Sequence, residues 1–143
     1  MRQPKSSGTT GELAAIRALT EAGLSWRWQV EIKTRFSRSI FRVDFVIKNP
    51  IHLGRDVTYE VQGGLHYRTW GGKPALSRMA KDEAKRNCLK GDGWPYVEST
   101  DVEIKKEPGK VIMRIQDALA HPDKYCELPA TVRKELKWQA ENL

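Results

Sequence analysis

The stretch from Phe41 to Arg68, FRVDFVIKNPIHLGRDVTYEVQGGLHYR, contains two runs that alternate between apolar and polar residues, as β-strands do. In each run the alternation places one carboxylate opposite the apolar side chains: Asp44 in the first and Glu60 in the second. The predicted apolar faces are formed by Phe41, Val43, Phe45 and Ile47 and by Val57, Tyr59 and Val61. If the strands pair with these faces aligned, Asp44 and Glu60 converge. Because close carboxylates repel each other unless a cation or a proton lies between them, the stretch predicts a site for magnesium.

The flanking sequence predicts helices on both sides of this stretch. Thr9-Thr10-Gly11-Glu12 is typical of a helix start, and Gly23 of a helix end. The predicted elements, in chain order, are a helix to about residue 22, strands near 26–32, 41–47 and 57–62, a helix over 77–90, a strand over 96–100 and helices over 110–120 and 130–141. An antiparallel meander followed by a crossover strand predicts an α+β fold, with a mixed sheet of about four strands flanked by helices. We expect a single domain over residues 1–143, with a core over about 9–121.

The charge of the chain favours a polyanionic partner. The net charge is +7 and the sequence pI is about 9.5. Residues 1–48 carry nine Lys and Arg against four Asp and Glu, and residues 64–90 carry seven against two, so the excess flanks the predicted metal site. Such clustering favours nucleic acid, with the basic side chains binding phosphates. The alternative is that a net charge of this size only provides solubility.

The cysteines and the hydropathy point to an intracellular protein. Cys88 and Cys126 form no Cys-x-x-Cys pattern, which argues against a disulfide framework and a zinc finger. No apolar stretch has membrane-spanning length, and the N-terminus lacks the apolar region of a signal peptide. We therefore expect a soluble, cytoplasmic protein without a membrane partner.

A set of residues in a fixed order resembles the PD-(D/E)XK nuclease core. It consists of a helix carrying Glu12, then Asp44 in FRVDFVI, then Glu60-Val61-Gln62 at the end of a strand. The string EVQGGLH, followed by Asp82 and Arg86, is similar to the very-short-patch-repair-endonuclease-like branch, which includes small E-x-D-G-x-x-H domains and certain phage homing endonucleases. The resemblance covers about residues 9–100. It implies a restriction-endonuclease-like αβββαβ core and a Mg²⁺- or Mn²⁺-dependent DNA endonuclease, of the kind that phages or mobile elements encode.

The resemblance also implies roles for single residues. Asp44, Glu60 and the main-chain carbonyl of Val61 correspond to the metal ligands, and Glu12 to a helix glutamate that binds a metal directly or through water. Glu12 also fits a capping box with Thr9. Gln62 replaces the family's lysine; an amide orients water by hydrogen bonding but is not a base. His66 corresponds to a general base or acid, and a structural role in its turn is the alternative.

The remaining candidates are Asp82 and a set of basic residues that the sequence places beside the predicted site. Asp82 corresponds to the last acid of the branch, and an ordinary helix ion pair with Arg86 is the alternative. The candidate DNA-binding residues are Lys33, Arg35, Arg38, Arg42, Arg68, Arg78, Lys81, Lys85 and Arg86. A solvated surface is the alternative for the basic turn at 33–38 and for Lys81 and Lys85. Two other functions stay open: a Holliday-junction resolvase, which acts as a homodimer, and a DNA-binding module of the same fold without activity.

Overall fold

The computed structural model describes residues 10–34, 40–63 and 76–126, and within these ranges it is an α+β fold. The elements are helix α1 (Thr10–Glu21), strands β1 (Trp26–Lys33), β2 (Ile40–Ile47) and β3 (Val57–Gln62), helix α2 (Leu76–Gly91), strand β4 (Tyr96–Thr100), helices α3 (Asp101–Lys106) and α4 (Pro108–Ala120), and a short 3-10 helix (Pro122–Tyr125). The four strands form one sheet in the order β1-β2-β3-β4. β1, β2 and β3 pair antiparallel, and β4 pairs parallel to β3 after the crossover through α2. The predicted mixed sheet flanked by helices is confirmed.

Each side of the sheet carries its own apolar core. The larger core joins the sheet to α1, α3 and α4, and its fully buried large side chains include Leu19, Phe45, Ile47, Tyr59, Ile104, Val111 and Ile115. The smaller core joins the sheet to α2 and consists of Ile32, Val43, Val46, Leu89 and Tyr96. Alternation along β3 and β4 therefore directs Tyr59 and Val97 toward α1 and α4, and Glu60, Tyr96 and Glu98 toward α2.

One part of the predicted alternation is wrong, because the β1–β2 hairpin bends. Phe45 packs in the larger core whereas Val43 packs in the smaller one, although both were predicted on one face. The same change separates Trp28 from Val30 on β1. Gln29 lies between them with a φ of 52°, in the left-handed region that is uncommon for residues other than glycine. Gln29 lies opposite Asp44, between the pairs Trp28–Phe45 and Val30–Val43.

Helix α3 was not predicted from the sequence. Thr100 caps it: the Thr100 side chain accepts a hydrogen bond of 3.0 Å from the Glu103 main-chain N–H, and Asp101 and Glu103 lie in the first turn. A break at Glu107 separates α3 from α4, which begins at Pro108 rather than near residue 110.

Two further expectations concern the whole chain. The predicted helix over 130–141 lies outside the described residues, and the single domain over 1–143 stays a prediction. In residues 10–34, 40–63 and 76–126, no helix has both the length and the apolar character to span a membrane.

Candidate metal centre

The site begins where strands β2 and β3 separate. Their ladder of paired residues ends at Phe45 and Tyr59. Beyond this point the main-chain N–H of Val61 donates a 2.8 Å hydrogen bond to Asp44 Oδ2 instead of to the backbone of β2. This bond satisfies a strand donor and fixes the Asp44 carboxylate in the gap between the strands.

Asp44 and Glu60 converge in this gap. The two carboxyl groups interact directly, and both side chains lie mostly out of water. Burial, followed by the charge of Asp44, raises the pKa of Glu60 from 4.5 to about 8. Burial is also the main cause that raises the pKa of Asp44, and the Val61 N–H opposes it. At neutral pH the pair therefore retains a proton that a divalent cation can replace.

Lys85 of α2 also reaches this pair. Its Nζ forms an ion pair with Glu60 Oε1, and the Lys85 and Glu60 side chains are only 20% and 9% exposed. The ammonium opposes the rise in the pKa of Glu60 without cancelling it. Glu60 Oε1 is completely buried and has no partner of hydrogen-bonding geometry in the described part of the chain. The Lys85 ammonium thus occupies the position next to Oε1 from which a metal ion would bind this oxygen.

Helix α1 brings a third carboxylate near the pair. Gly11 lies so close to the end of β3 that a Cβ there would be 2.9 Å from Val61 Cγ1 and 2.8 Å from Asp101 Cβ. This approach buries Glu12, which accepts a hydrogen bond of 3.4 Å from Trp28 Nε1 and whose charge helps to raise the pKa of Asp44. Of the two interpretations of Glu12, the inward one agrees with this geometry; Thr9, its predicted capping partner, lies outside the described residues.

The next strand adds a carboxylate that the sequence did not reveal. Glu98 of β4 pairs in register with Glu60. Arg86 Nη2 donates a 2.9 Å hydrogen bond to Glu98 Oε2, and the Arg86 guanidinium carbon lies 5.8 Å from the centroid of the Tyr96 ring. The ion pair of Arg86 with Glu98 thus joins α2 to β4. Only the parallel register of β3 and β4 places Glu98 here, and no spacing in the sequence shows that register.

The inner face of α2 carries Lys85 and Leu89 rather than the alanines of the helix. Ala80 and Ala84 are exposed, while Leu89 is buried and Lys85 contacts Glu60. Lys85 and Leu89 are one turn apart and share the inner face. The expected solvated surface is therefore wrong for Lys85, whereas Lys81 is exposed, as both of its interpretations require.

The other candidates are spread more widely. Arg42 is exposed and lies 4.0 Å from Glu31, and Asp82 is half-buried with an interaction partner. Lys33 lines a cavity of about 400 Å³ beside Arg55 and Trp94, next to the start of β4. Four candidates, Arg35, Arg38, His66 and Arg68, lie outside the described residues, as does the side chain of Arg78.

The donor set fits a magnesium ion that keeps most of its waters. No group of three or more His, Cys, Asp or Glu side chains is arranged to hold a metal within residues 10–34, 40–63 and 76–126. Mg²⁺ binds through one or two carboxylates together with water and substrate phosphate, so Asp44 and Glu60 suffice as side-chain ligands. Gln62 is buried at the end of β3 and, by alternation, lies on the same side of the sheet as Glu60.

Comparisons with known proteins do not identify a family. No protein-family model matches the sequence, and no curated protein matches it. A solved structure described as "Crystal Structure of Protein of Unknown Function AF1548" is similar, with 16% sequence identity and a TM-score of 0.39. The match covers 72% of this chain and 55% of that chain, so this chain spans about half the length of its structural neighbour.

Proposed function

We propose that the protein is a metal-dependent endonuclease that hydrolyses phosphodiester bonds in DNA. The observation that carries the proposal is the buried pair of Asp44 and Glu60, whose carboxyl groups converge where β2 and β3 separate, beside the Val61 N–H and the Lys85 ammonium. Burying two acids together is unfavourable, and a structural role alone gives no reason for it. Perturbed carboxylates of this kind are concentrated at functional sites.

Each residue of the site has a distinct role in the proposed reaction. Asp44 and Glu60 hold Mg²⁺ or Mn²⁺, with the Val61 carbonyl as a main-chain ligand and Glu12 as a ligand directly or through water. The bound ion supplies Lewis-acid stabilisation of the phosphate and a more acidic water. Gln62 orients the attacking water through its amide, and His66 transfers a proton to or from the reacting oxygens.

The basic surface supports a DNA substrate. The chain has 25 Lys and Arg residues against 18 Asp and Glu residues, and the excess lies in the segments next to the carboxylates. Among the described residues, the exposed members of the proposed phosphate-binding set are Lys33, Arg42 and Lys81. Because phosphate contacts release counterions, we expect DNA affinity to fall steeply with salt concentration. We place the activity in the cytoplasm of the producing cell or of a phage host.

A plasmid assay tests this proposal. The protein is incubated with supercoiled plasmid and with a four-way junction, in Mg²⁺, Mn²⁺ or EDTA. The account predicts cleavage only with the metals, and at least about 10²-fold slower cleavage by Asp44→Ala and Glu60→Ala at nearly unchanged DNA affinity. Glu21→Ala, which removes an exposed carboxylate at the end of α1, is the matched control. Native cleavage by Asp44→Ala or Glu60→Ala contradicts the site.

Gln62 favours one alternative, a DNA-binding module of the same fold without activity. A neutral amide in place of the family's lysine removes a charge from the reaction centre. Salt-sensitive DNA binding with no nicking in any metal supports this alternative. Cleavage of the junction by symmetric cuts, with a dimer in gel filtration, instead supports a Holliday-junction resolvase.

A further inference from the structure

We propose that Lys85 is the resident cation of the carboxylate site: it balances the negative charge of the Asp44–Glu60 pair while no metal is bound, and it then supplies the positive charge that Gln62 lacks. This inference rests on the proposed function for its second part only. The first part concerns the protein alone. Lys85 would act on the attacking water and the phosphate from α2. Gln62, the residue at the lysine position of the sequence motif, lies on β3.

The first support for this role is the direction of the Lys85 side chain. Lys85 lies one turn before Leu89, which is fully buried between α2 and the sheet. The two residues therefore share the inner face of α2, and the Lys85 stem runs along that face to Glu60. A lysine serving only solubility would remain in water, as exposed Lys81 does.

The second support is the choice of partner. The Lys85 ammonium meets Glu60 Oε1, the buried oxygen that has no other partner among the described residues. The neighbouring Arg86 pairs instead with Glu98, so these two adjacent cations of α2 pair with two different strands. Because the Lys85 ammonium contacts Glu60 Oε1, this oxygen cannot bind a divalent ion until the ammonium moves away.

The third support is the electrostatic consequence of that movement. Lys85 contacts Glu60, and by alternation Gln62 lies on the same side of β3 as Glu60. A Lys85 ammonium that leaves Oε1 therefore stays on the side of the sheet that carries Gln62, because the Lys85 stem lies on the inner face of α2. The same side chain thus competes with the metal for Glu60 and then stands next to the water that Gln62 orients.

Competition with the metal gives a test that does not need cleavage. We expect Lys85→Met to bind Mn²⁺ about 3- to 10-fold more tightly in calorimetric titration of the full chain with MnCl2, because a nearby positive charge is removed. The same variant should cleave plasmid at least about 10²-fold more slowly, and Lys85→Arg should recover part of the rate. Lys90→Met, on the same helix and away from the pair, is the matched control and should leave both quantities at native values.

Tighter Mn²⁺ binding together with slower plasmid cleavage by Lys85→Met is expected only if Lys85 acts as proposed. A structural role predicts that Lys85→Met weakens Mn²⁺ binding and slows cleavage together, and this result overturns the inference. Unchanged Mn²⁺ affinity, or no Mn²⁺ binding by either protein, also overturns it. If Lys85→Met is not folded by circular dichroism, Lys85→Gln takes its place. Tighter Mn²⁺ binding by the variant without cleavage by any protein supports Lys85 as the resident cation and refutes the endonuclease instead.

Discussion

Replacing Glu60 by glutamine should stabilise the metal-free protein at alkaline pH. The pKa of Glu60 is raised from 4.5 to about 8, mainly by burial and then by Asp44. Below pH 4.5 the carboxyl is protonated in both the folded and the unfolded chain, so it costs no stability. Between pH 4.5 and 8 the unfolded chain loses the proton while the folded protein keeps it, and stability falls as the pH rises.

The size of this effect follows from the two pKa values. At 1.36 kcal/mol per pH unit, the difference between 4.5 and about 8 corresponds to at most about 5 kcal/mol of lost stability above pH 8. Relaxation and water entry on ionisation reduce the cost of a buried charge. We therefore expect Glu60→Gln to be more stable than the wild type by about 2–4 kcal/mol at pH 8.5, or roughly 5–15 °C in Tm for a domain of this size.

Thermal and urea melts in EDTA between pH 5 and 8.5 measure this difference directly. The advantage of Glu60→Gln should shrink toward pH 5, and 10 mM MgCl2 should reduce it at pH 8.5 by stabilising the wild type alone. Glu21→Gln, at an exposed position of α1, should show no such pH dependence. A Glu60→Gln variant that is no more stable than the wild type at pH 8.5 would contradict a raised pKa of the Glu60 carboxyl in the folded protein.

Two further predictions concern the elements that hold the site. Gly11→Ala should lower the free energy of unfolding by about 1–3 kcal/mol in urea titration, because the new Cβ would lie under 3 Å from Asp101 and Val61. The control is Gly109→Ala, which should cost no stability because a Cβ there has no atom within 4 Å. Asn49→Ala should lower the free energy of unfolding by about 2–4 kcal/mol, since the buried Asn49 amide donates to two main-chain carbonyls, each at 2.9 Å. These bonds hold the β2–β3 connection against α4, and an unchanged urea midpoint would contradict this role.

The strands and the carboxylate pair could be predicted because their signals are local. Period-two alternation places Asp44 and Glu60 opposite apolar residues whatever the rest of the chain does. The predicted strand over 96–100 agrees with β4, and the strand predicted over 57–62 agrees with β3. The order of meander and crossover follows from connection lengths alone.

The parts that could not be predicted depend on tertiary contacts. The bend at Gln29 moves Val43 to the other core, and nothing in the composition of β1 marks that position. Glu98 joins the site through a register between distant strands. The sequence indicates a surface position for Lys85, because the alanines of α2 suggest that its inner face lies elsewhere. Only the buried position of Leu89 shows which face of the helix packs on the sheet.

The most direct measurement of the account is the position of manganese in crystals soaked in MnCl2, located by anomalous scattering. We expect a peak in the gap between β2 and β3, within coordination distance of one oxygen of Asp44 and one of Glu60, with the Lys85 ammonium moved off Oε1. Full-occupancy manganese bound elsewhere, or no peak at this pair while Lys85 stays on Glu60, would contradict it.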